Sequence, residues 1–366
     1  MQVAFNAPLR LYEQQVAEIN AAMKRVLESG HYILGPELLA FETKLAHYFS
    51  APKDLFAGCN SGTDALILAL KALEVGTGDE VICVSHTAIP TIVAIRAVGA
   101  TPIFVDIDPE TWVMDIKEAQ KKITAKTKAI ITVHLYGNMV NIPGAEAAGI
   151  PIIEDVAQAM GSKLRGSLAG SIGTFGAFSF YPTKNIGALG DGGAVTAQNA
   201  EHANRLRMLR NYGQKDRYNA ILEGGINSRL DEMQAAILSI RLPLMNAWNT
   251  EKKSTLEFYK KELTNTPLKF QSISPNCEPA WHLSVVKTES LSQRDTLQKY
   301  LEEKGVQCLI HYPIPTHKQK AFAKYCTTPL PITENLAGTI LSLPLYPGLK
   351  EDEKKHVVEN IKSFFS

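Results

Sequence analysis

The stretch Pro151–Val195, PIIEDVAQAMGSKLRGSLAGSIGTFGAFSFYPTKNIGALGDGGAV, decides how the rest of the chain is read. It opens on a short β-branched run without polar alternation, the pattern of a strand buried on both faces in a parallel sheet. The run ends in two carboxylates, Glu154 and Asp155. Ligands of open α/β sheets collect at the carboxyl ends of strands, so Asp155 is expected at a site. An acid there would pair with a cationic ring nitrogen, and such a pair keeps a carboxylate ionised in partly buried surroundings. The plainer alternative is a helix cap, with Asp155 accepting backbone N–H groups of the VAQAM that follows.

Farther along, Lys184 lies in YPTKN, between an aromatic run and the glycine-rich Gly187–Gly193. A lone lysine is ordinarily a solvated surface charge. Beside Phe178, Phe180, Tyr181 and Pro182, however, a desolvated amine loses proton affinity and becomes a nucleophile able to form imines with aldehydes. The glycine-rich GALGDGG is no nucleotide loop: it departs from G-x-G-x-x-G, precedes a strand-like run rather than a helix, and carries no GK[ST]. Its glycines are expected to permit a tight turn and close backbone approach near the lysine.

Outward from this stretch, residues from about Leu55 to Ala197 repeat one arrangement: a helical segment, a Gly-containing turn, then a β-branched run. Strands are expected over Glu80–Val84, Thr101–Val105, Ala129–Leu135, Ile150–Glu154 and Gly193–Thr196, and helices over Thr63–Leu73, Ala88–Val98 and Lys117–Ile123. The alternation predicts an α/β fold with a doubly wound, mostly parallel sheet. After Asn227 the character changes. A helical segment Asp231–Trp248 leads into a lysine-rich helix from Glu251. Then come a strand over His282–Lys287, a helix over Ser292–Lys304, a strand over Val306–Ile310 and a closing helix Glu351–Phe365. The expected division is a large domain, residues 1–248, and a smaller C-terminal α+β domain, residues 249–366.

Two further places suggest a site. Asn60-Ser61-Gly62-Thr63-Asp64 opens the first expected helix, where free N–H groups and the positive dipole end favour an anion such as phosphate. Gly62 lets the backbone come close and Thr63 adds a hydroxyl; Ser179 is a second candidate phosphate ligand, and an ordinary cap or core hydroxyl the plain alternative. His86, in CVSHTAIPT, follows another expected strand and would stack on a planar ring. No Ser-His-Asp spacing, metal-ligand cluster or paired-carboxylate pattern is present, so no metal is expected.

The 366 residues can bury a sizeable core. With 38 basic against 37 acidic side chains, the electrostatic footprint of a nucleic-acid or anionic-membrane binder is missing. Five scattered cysteines, without CxxC spacing, point to a reducing cytoplasm. No signal-peptide core and no run of roughly 20 apolar residues is found, so no membrane association is expected.

Taken together, GHYILGPELLAFE, NSGTDAL, GDEVICVSHTAIPT, the Asp155–Val195 segment, LRNYGQ, NSRLDEMQAAIL, IHYPIPTH and LSLPLYPGL resemble the DegT/DnrJ/EryC1/StrS family of nucleotide-sugar aminotransferases. The likeness covers nearly the whole chain, and EDxAQ followed by SFYPTKNxGALGDGG is its most specific part. The resemblance implies a pyridoxal 5'-phosphate transferase of fold type I, the aspartate aminotransferase-like fold. It matches Lys184 to the Schiff-base lysine, Asp155 to the partner of the pyridine nitrogen, and Gln158 to the group beside the ring hydroxyl. Gly62, Thr63 and Ser179 match cofactor phosphate ligands, and His86 falls where many members stack an aromatic ring. Asn227 matches an asparagine that reaches the phosphate of the neighbouring subunit's cofactor, so a homodimer with shared active sites is implied. Tyr181, Arg217, Tyr312 and His317 are the expected substrate contacts. SHTAIPT and FYPTKNIGALGDGG are closest to the branch acting on dTDP-linked 3-keto-6-deoxyhexoses, with glutamate giving the amino group and leaving as 2-oxoglutarate. A 4-keto nucleotide sugar or a keto-cyclitol is the alternative within that chemistry. A non-catalytic nucleotide-sugar-binding or regulatory protein on the same fold is the alternative outside it. A dehydratase of the family is expected to have lost the lysine.

Overall fold

A computed structural model describes residues 1–142 and 149–366. Seven strands form the large sheet: β1 (Phe56–Cys59), β2 (Glu80–Val84), β3 (Thr101–Val105), β4 (Thr127–Val133), β5 (Ile152–Asp155), β6 (Phe175–Ser179) and β7 (Gly193–Ala197). Their spatial order is β1-β7-β6-β5-β4-β2-β3. The pairs from β6 to β3 are parallel, whereas β7 runs antiparallel to both β6 and β1. Only β7 is reversed, so the carboxyl ends of the other six strands share one edge. That edge receives the segments carrying Gly62, His86, Asp155 and Lys184.

The strands are buried almost throughout, because crossover helices such as Gly62–Ala72 and Ile89–Ala97 cover the sheet. Leu66, Leu68, Ile82, Ile95, Ile130 and Val195 belong to the largest apolar cluster. Phe41, Phe178, Phe180, Ile186 and Leu238 belong to a second. Strands β1 and β6 were not expected. Each carries a glycine inside four or five residues, which weakens the β-branched signal.

The second unit holds a three-stranded antiparallel sheet of β8 (Lys269–Phe270), β9 (Ser284–Lys287) and β10 (Ile340–Leu343), in the order β8-β9-β10. Helices Leu291–Glu303 and Glu351–Phe365 pack on it through Leu297, Leu301, Val357 and Ile361. Three particulars differ from the sequence reading. Residues 306–310 make only isolated bridges, Val306 to Val3 and Leu309 to Ser342, instead of a strand. A single helix, Met245–Glu262, replaces the expected break before Glu251 and runs across the 248/249 division. The N-terminus also joins the second unit: Val3 lies in its core, and Arg10 donates to both carboxylate oxygens of Glu353 at 2.8 and 2.6 Å.

Candidate active site

Lys184 is presented by a tight turn. Its backbone N–H donates to Tyr181 O at 2.9 Å, and Pro182 at the second position pre-sets the φ such a turn needs. Phe180 N–H donates to Gly192 O, and Ala188 N–H to Phe180 O, closing the glycine-rich stretch back on the turn. None of Gly187, Gly190, Gly192 or Gly193 has a positive φ. Gly187 instead abuts the Pro182 carbonyl, and Gly193 abuts Ser61, so close approach is what these positions require. Burial pushes the Lys184 amine down from 10.5 to about 8, and the negative charge of Asp155 opposes that fall. Among the described residues the amine has no hydrogen-bond or ion-pair partner.

Asp155 ends β5 with its side chain oriented from two directions: Thr91 Oγ1 donates to Oδ2 at 2.9 Å, and Ala157 N–H to Oδ1 at 3.2 Å. Burial raises its pKa, while those two donors and the Lys184 charge pull it down. The neighbouring Glu154 is entirely buried and serves the frame, accepting from Gly170, Ile172 and Gly173 N–H groups and pairing with His134 Nε2 at 2.9 Å. The two carboxylates read side by side in the sequence thus divide into one for the site and one for the scaffold.

The segment expected to cradle an anion does open a helix. The helix starts at Gly62, capped by Ser61 Oγ, which accepts from Asp64 N–H at 3.1 Å. A Cβ on Gly62 would come within 2.7 Å of Ser179 Cβ, so the glycine lets Ser179 approach the open helix end. Ser228 ties in the following segment: its hydroxyl donates to Asp64 Oδ2 at 2.7 Å and accepts from Asn60 N–H at 3.1 Å. Asn227, next to it, is exposed.

His86 is completely buried, its ring edge-on to Tyr136. Tyr136 Oη donates to His311 O, so it accepts from His86 Nε2 (2.7 Å), and His86 carries its proton on Nε2. Its Nδ1 is then a bare acceptor without a partner among the described residues. Burial holds this imidazole neutral, at about 4. Gln158 accepts from Tyr136 N–H at 2.8 Å and donates to Tyr312 Oη at 2.9 Å, placing Tyr312 beside Gln158 and Asp155.

Other expected substrate contacts are placed differently. His317 is buried, with Ser85 Oγ at 2.5 Å from Nδ1 and Glu334 Oε1 at 3.1 Å from Nε2. Both ring nitrogens are occupied, so in this structure it fastens the segment after Tyr312 to the end of β2 and offers no free nitrogen to a substrate. Arg217 is exposed and lies over the Tyr218 ring at 4.9 Å, on the hairpin of Gln214–Asp216 and Asn219–Ala220. Tyr181 is about half exposed on the Lys184 turn. Thr91, Tyr136, Asn185, Lys252 and His282 were not foreseen; of these only Asn185, adjoining Lys184, carried a positional hint.

The donor set fits pyridoxal 5'-phosphate: a partnerless amine at about 8, a buried carboxylate coupled to it, and an open helix end with Gly62 where a side chain would collide. A model of the DegT/DnrJ/EryC1/StrS aminotransferase family matches residues 13–362. The chain belongs to that family. It is 42% identical over 360 residues to dTDP-3-amino-3,4,6-trideoxy-alpha-D-glucose transaminase of Streptomyces venezuelae, covering 96% of this chain and 93% of that one. It is 43% identical over 351 residues to dTDP-3-amino-3,6-dideoxy-alpha-D-galactopyranose transaminase of Aneurinibacillus thermoaerophilus, covering 95% of each. It is 40% identical over 360 residues to UDP-N-acetyl-3-dehydro-alpha-D-glucosamine 3-aminotransferase of Acidithiobacillus ferrooxidans, with coverage of 97% and 94%. The crystal structure of S. venezuelae DesV superposes with a TM-score of 0.96 at 41% identity, covering 100% and 99%. That of Bacillus subtilis NtdA, with bound PMP, gives 0.92 at 30%, covering 100% and 85%. This chain is a pyridoxal 5'-phosphate-dependent sugar aminotransferase of fold type I.

Proposed function

We propose that the chain transfers the amino group of glutamate to the 3-keto carbon of a dTDP-linked 3-keto-6-deoxyhexose, giving the dTDP-3-amino-3,6-dideoxyhexose. The observation that carries the reading is the Lys184 amine, partly buried at the carboxyl edge of the sheet, near 8, and within the field of Asp155. The choice of sugar rests on the relatives named as dTDP-3-amino sugar transaminases at 42–43% identity. The relative named for a UDP-linked sugar, at 40%, supports a second reading in which the nucleotide is UDP.

When bound, the cofactor supplies an electron sink for the carbon losing or gaining a proton. Gly62, Thr63 and Ser179 hold its phosphate at the helix end. Asp155, oriented by Thr91 and Ala157, keeps a proton on its ring nitrogen. Lys184 Nζ moves the other proton. With a pKa about 8, about one amine in ten is neutral at pH 7. It takes the α-proton of glutamate and returns a proton to the sugar carbon in the second half. Asn227 reaches the site of the other copy in a homodimer, a role its exposure in the single chain suits. Tyr312, Tyr181 and Arg217 contact the nucleotide sugar. Five free cysteines suit a cytoplasmic setting, and among the described residues no helix is long and apolar enough to cross a membrane.

The test is incubation with glutamate and a panel of dTDP- and UDP-linked 3- and 4-keto sugars, followed by mass spectrometry. Amine-for-oxygen exchange on the dTDP-3-keto sugar is expected. Exchange confined to a UDP or 4-keto substrate overturns the assignment.

A further inference from the structure

Helix Met245–Glu262 carries its buried side chains at Met245, Trp248, Lys252, Thr255, Leu256 and Tyr259. The spacing is that of an apolar stripe facing a core. Lys252 stands in the middle of it, only 3% exposed. An amine there costs free energy that Leu or Met would not, and among the described residues no carboxylate pairs with it. Among the described residues its one hydrogen bond runs from Nζ to Asn185 Oδ1 at 3.0 Å.

Asn185 directly follows Lys184, and its amide orientation is unambiguous. Nδ2 donates to Met160 O at 3.1 Å and to Ala280 O at 2.9 Å. Two carbonyls can be served only by the NH₂ end, so Oδ1 must face the amine. Lys184, Asn185, Lys252 and His282 line one small cavity, whose water-accessible volume is about 30 Å³. The His282 imidazole is held neutral by burial, with the charges of Lys184 and Lys252 acting in the same direction. The second unit therefore meets Asn185, the residue after Lys184, at both ends of its amide: Ala280 O accepts from Nδ2 and Lys252 Nζ donates to Oδ1.

We propose that Lys252 is a positioning residue: by holding Asn185 it fixes the backbone from which Lys184 projects, so the second unit sets the aim of the reacting amine. The proposal rests on Lys184 being the cofactor lysine. Removing the donor leaves Asn185 Oδ1 buried and unpaired, so the residue after Lys184 is held only through Nδ2, by Met160 O and Ala280 O. A small misplacement of a reacting group costs rate rather than affinity.

The test uses the holoenzyme and its Lys252→Met, Lys252→Arg, Asn185→Leu, Lys252→Met/Asn185→Leu and Lys184→Ala variants. For Lys252→Met we expect a melting temperature no lower than the parent's, kcat lower by about tenfold and KM for glutamate within about twofold. The pH midpoint at which the visible band of the bound cofactor titrates should move. Lys252→Arg should restore kcat and midpoint, and the double variant should lose no more than either single one. Parent-like kcat and midpoint in Lys252→Met overturn the proposal. So does a loss that Lys252→Arg fails to restore, or losses that simply add in the double variant. Should Lys252→Met not fold, Lys252→Gln, which keeps an N–H donor, is judged against Asn185→Leu by the same criteria. Lys184→Ala separates the two claims. If it keeps the visible band, the assignment of Lys184 itself fails, whereas band loss there with parent-like Lys252→Met rejects the positioning role alone.

Discussion

Replacing Lys184 by methionine should make the apoprotein more stable while abolishing its chemistry. The folded-state pKa of Lys184 is about 8 against 10.5 for a free side chain. At pH 7 the unfolded chain carries this lysine protonated, and the folded chain must either desolvate the charge or release the proton. Lowering the amine from 10.5 to about 8 corresponds to roughly 3 kcal/mol of destabilisation. The sign follows from proton binding. Below about 8 both states hold the proton and the whole cost is present; between 8 and 10.5 only the unfolded state binds it, and the cost falls; above 10.5 it vanishes. Methionine keeps most of the stem and removes the charge, so Lys184→Met should gain up to roughly 3 kcal/mol at pH 7 and almost nothing above pH 10.5. The assay is urea unfolding of both apoproteins at one protein concentration across that range, with cofactor removed because a ligand of the native state adds its own stability. A gain that does not change with pH, or a loss at pH 7, would refute the account of why this amine is reactive.

Three other outcomes follow from the same geometry. Asp155→Asn should leave the fold intact, lower the Lys184 pKa further because the opposing negative charge is gone, and reduce the glutamate half-reaction by about a hundredfold or more, read by stopped-flow absorbance. In Gly62→Ala the new methyl meets Ser179 Cβ at 2.7 Å; overpacking of about 1–3 kcal/mol should raise the cofactor Kd by about tenfold, measured by fluorescence titration of the apoprotein, and parent-like affinity would remove Gly62 from the cradle. Mixing inactive Lys184→Ala with impaired Asn227→Ala should recover activity in hybrid dimers, since one of the two sites then has both residues intact. Failure of purified hybrids to recover would deny the shared site.

Much of this was legible because parallel strands and helix ends announce themselves locally. Glu80–Val84 and Thr101–Val105 agree residue for residue with expectation, as does the closing helix Glu351–Phe365. Lys184, Asp155 and the Gly62 helix start were legible because each lies where a strand meets a turn or helix. What failed to show depends on partners distant in sequence. His317 is expected as a substrate contact, yet Ser85 and Glu334 occupy both its nitrogens. Lys252 reads as one more charge in a lysine-rich helix, although Met245, Trp248 and Tyr259 already define the stripe in which it lies. Read against that stripe it is the anomaly. The N-terminus gave no local hint that Val3 and Arg10 would cross to the second unit.

On the proposed mechanism, the electrostatics around Lys184 explain why a lysine and not a histidine would move the proton. Burial takes His86 and His311 to about 4 and His282 well below its usual value, so at neutral pH these imidazoles are uncharged and take up no second proton that they could pass on. The same burial lowers an amine from 10.5 only to about 8, leaving Lys184 able both to accept a proton and to release it near pH 7. A group must start well above neutrality to be brought into range by desolvation, and among cationic side chains only lysine does so without remaining permanently charged. The buried edge of the sheet therefore selects for lysine: it silences the histidines and, by the same physical cause, tunes the one amine that the chemistry requires.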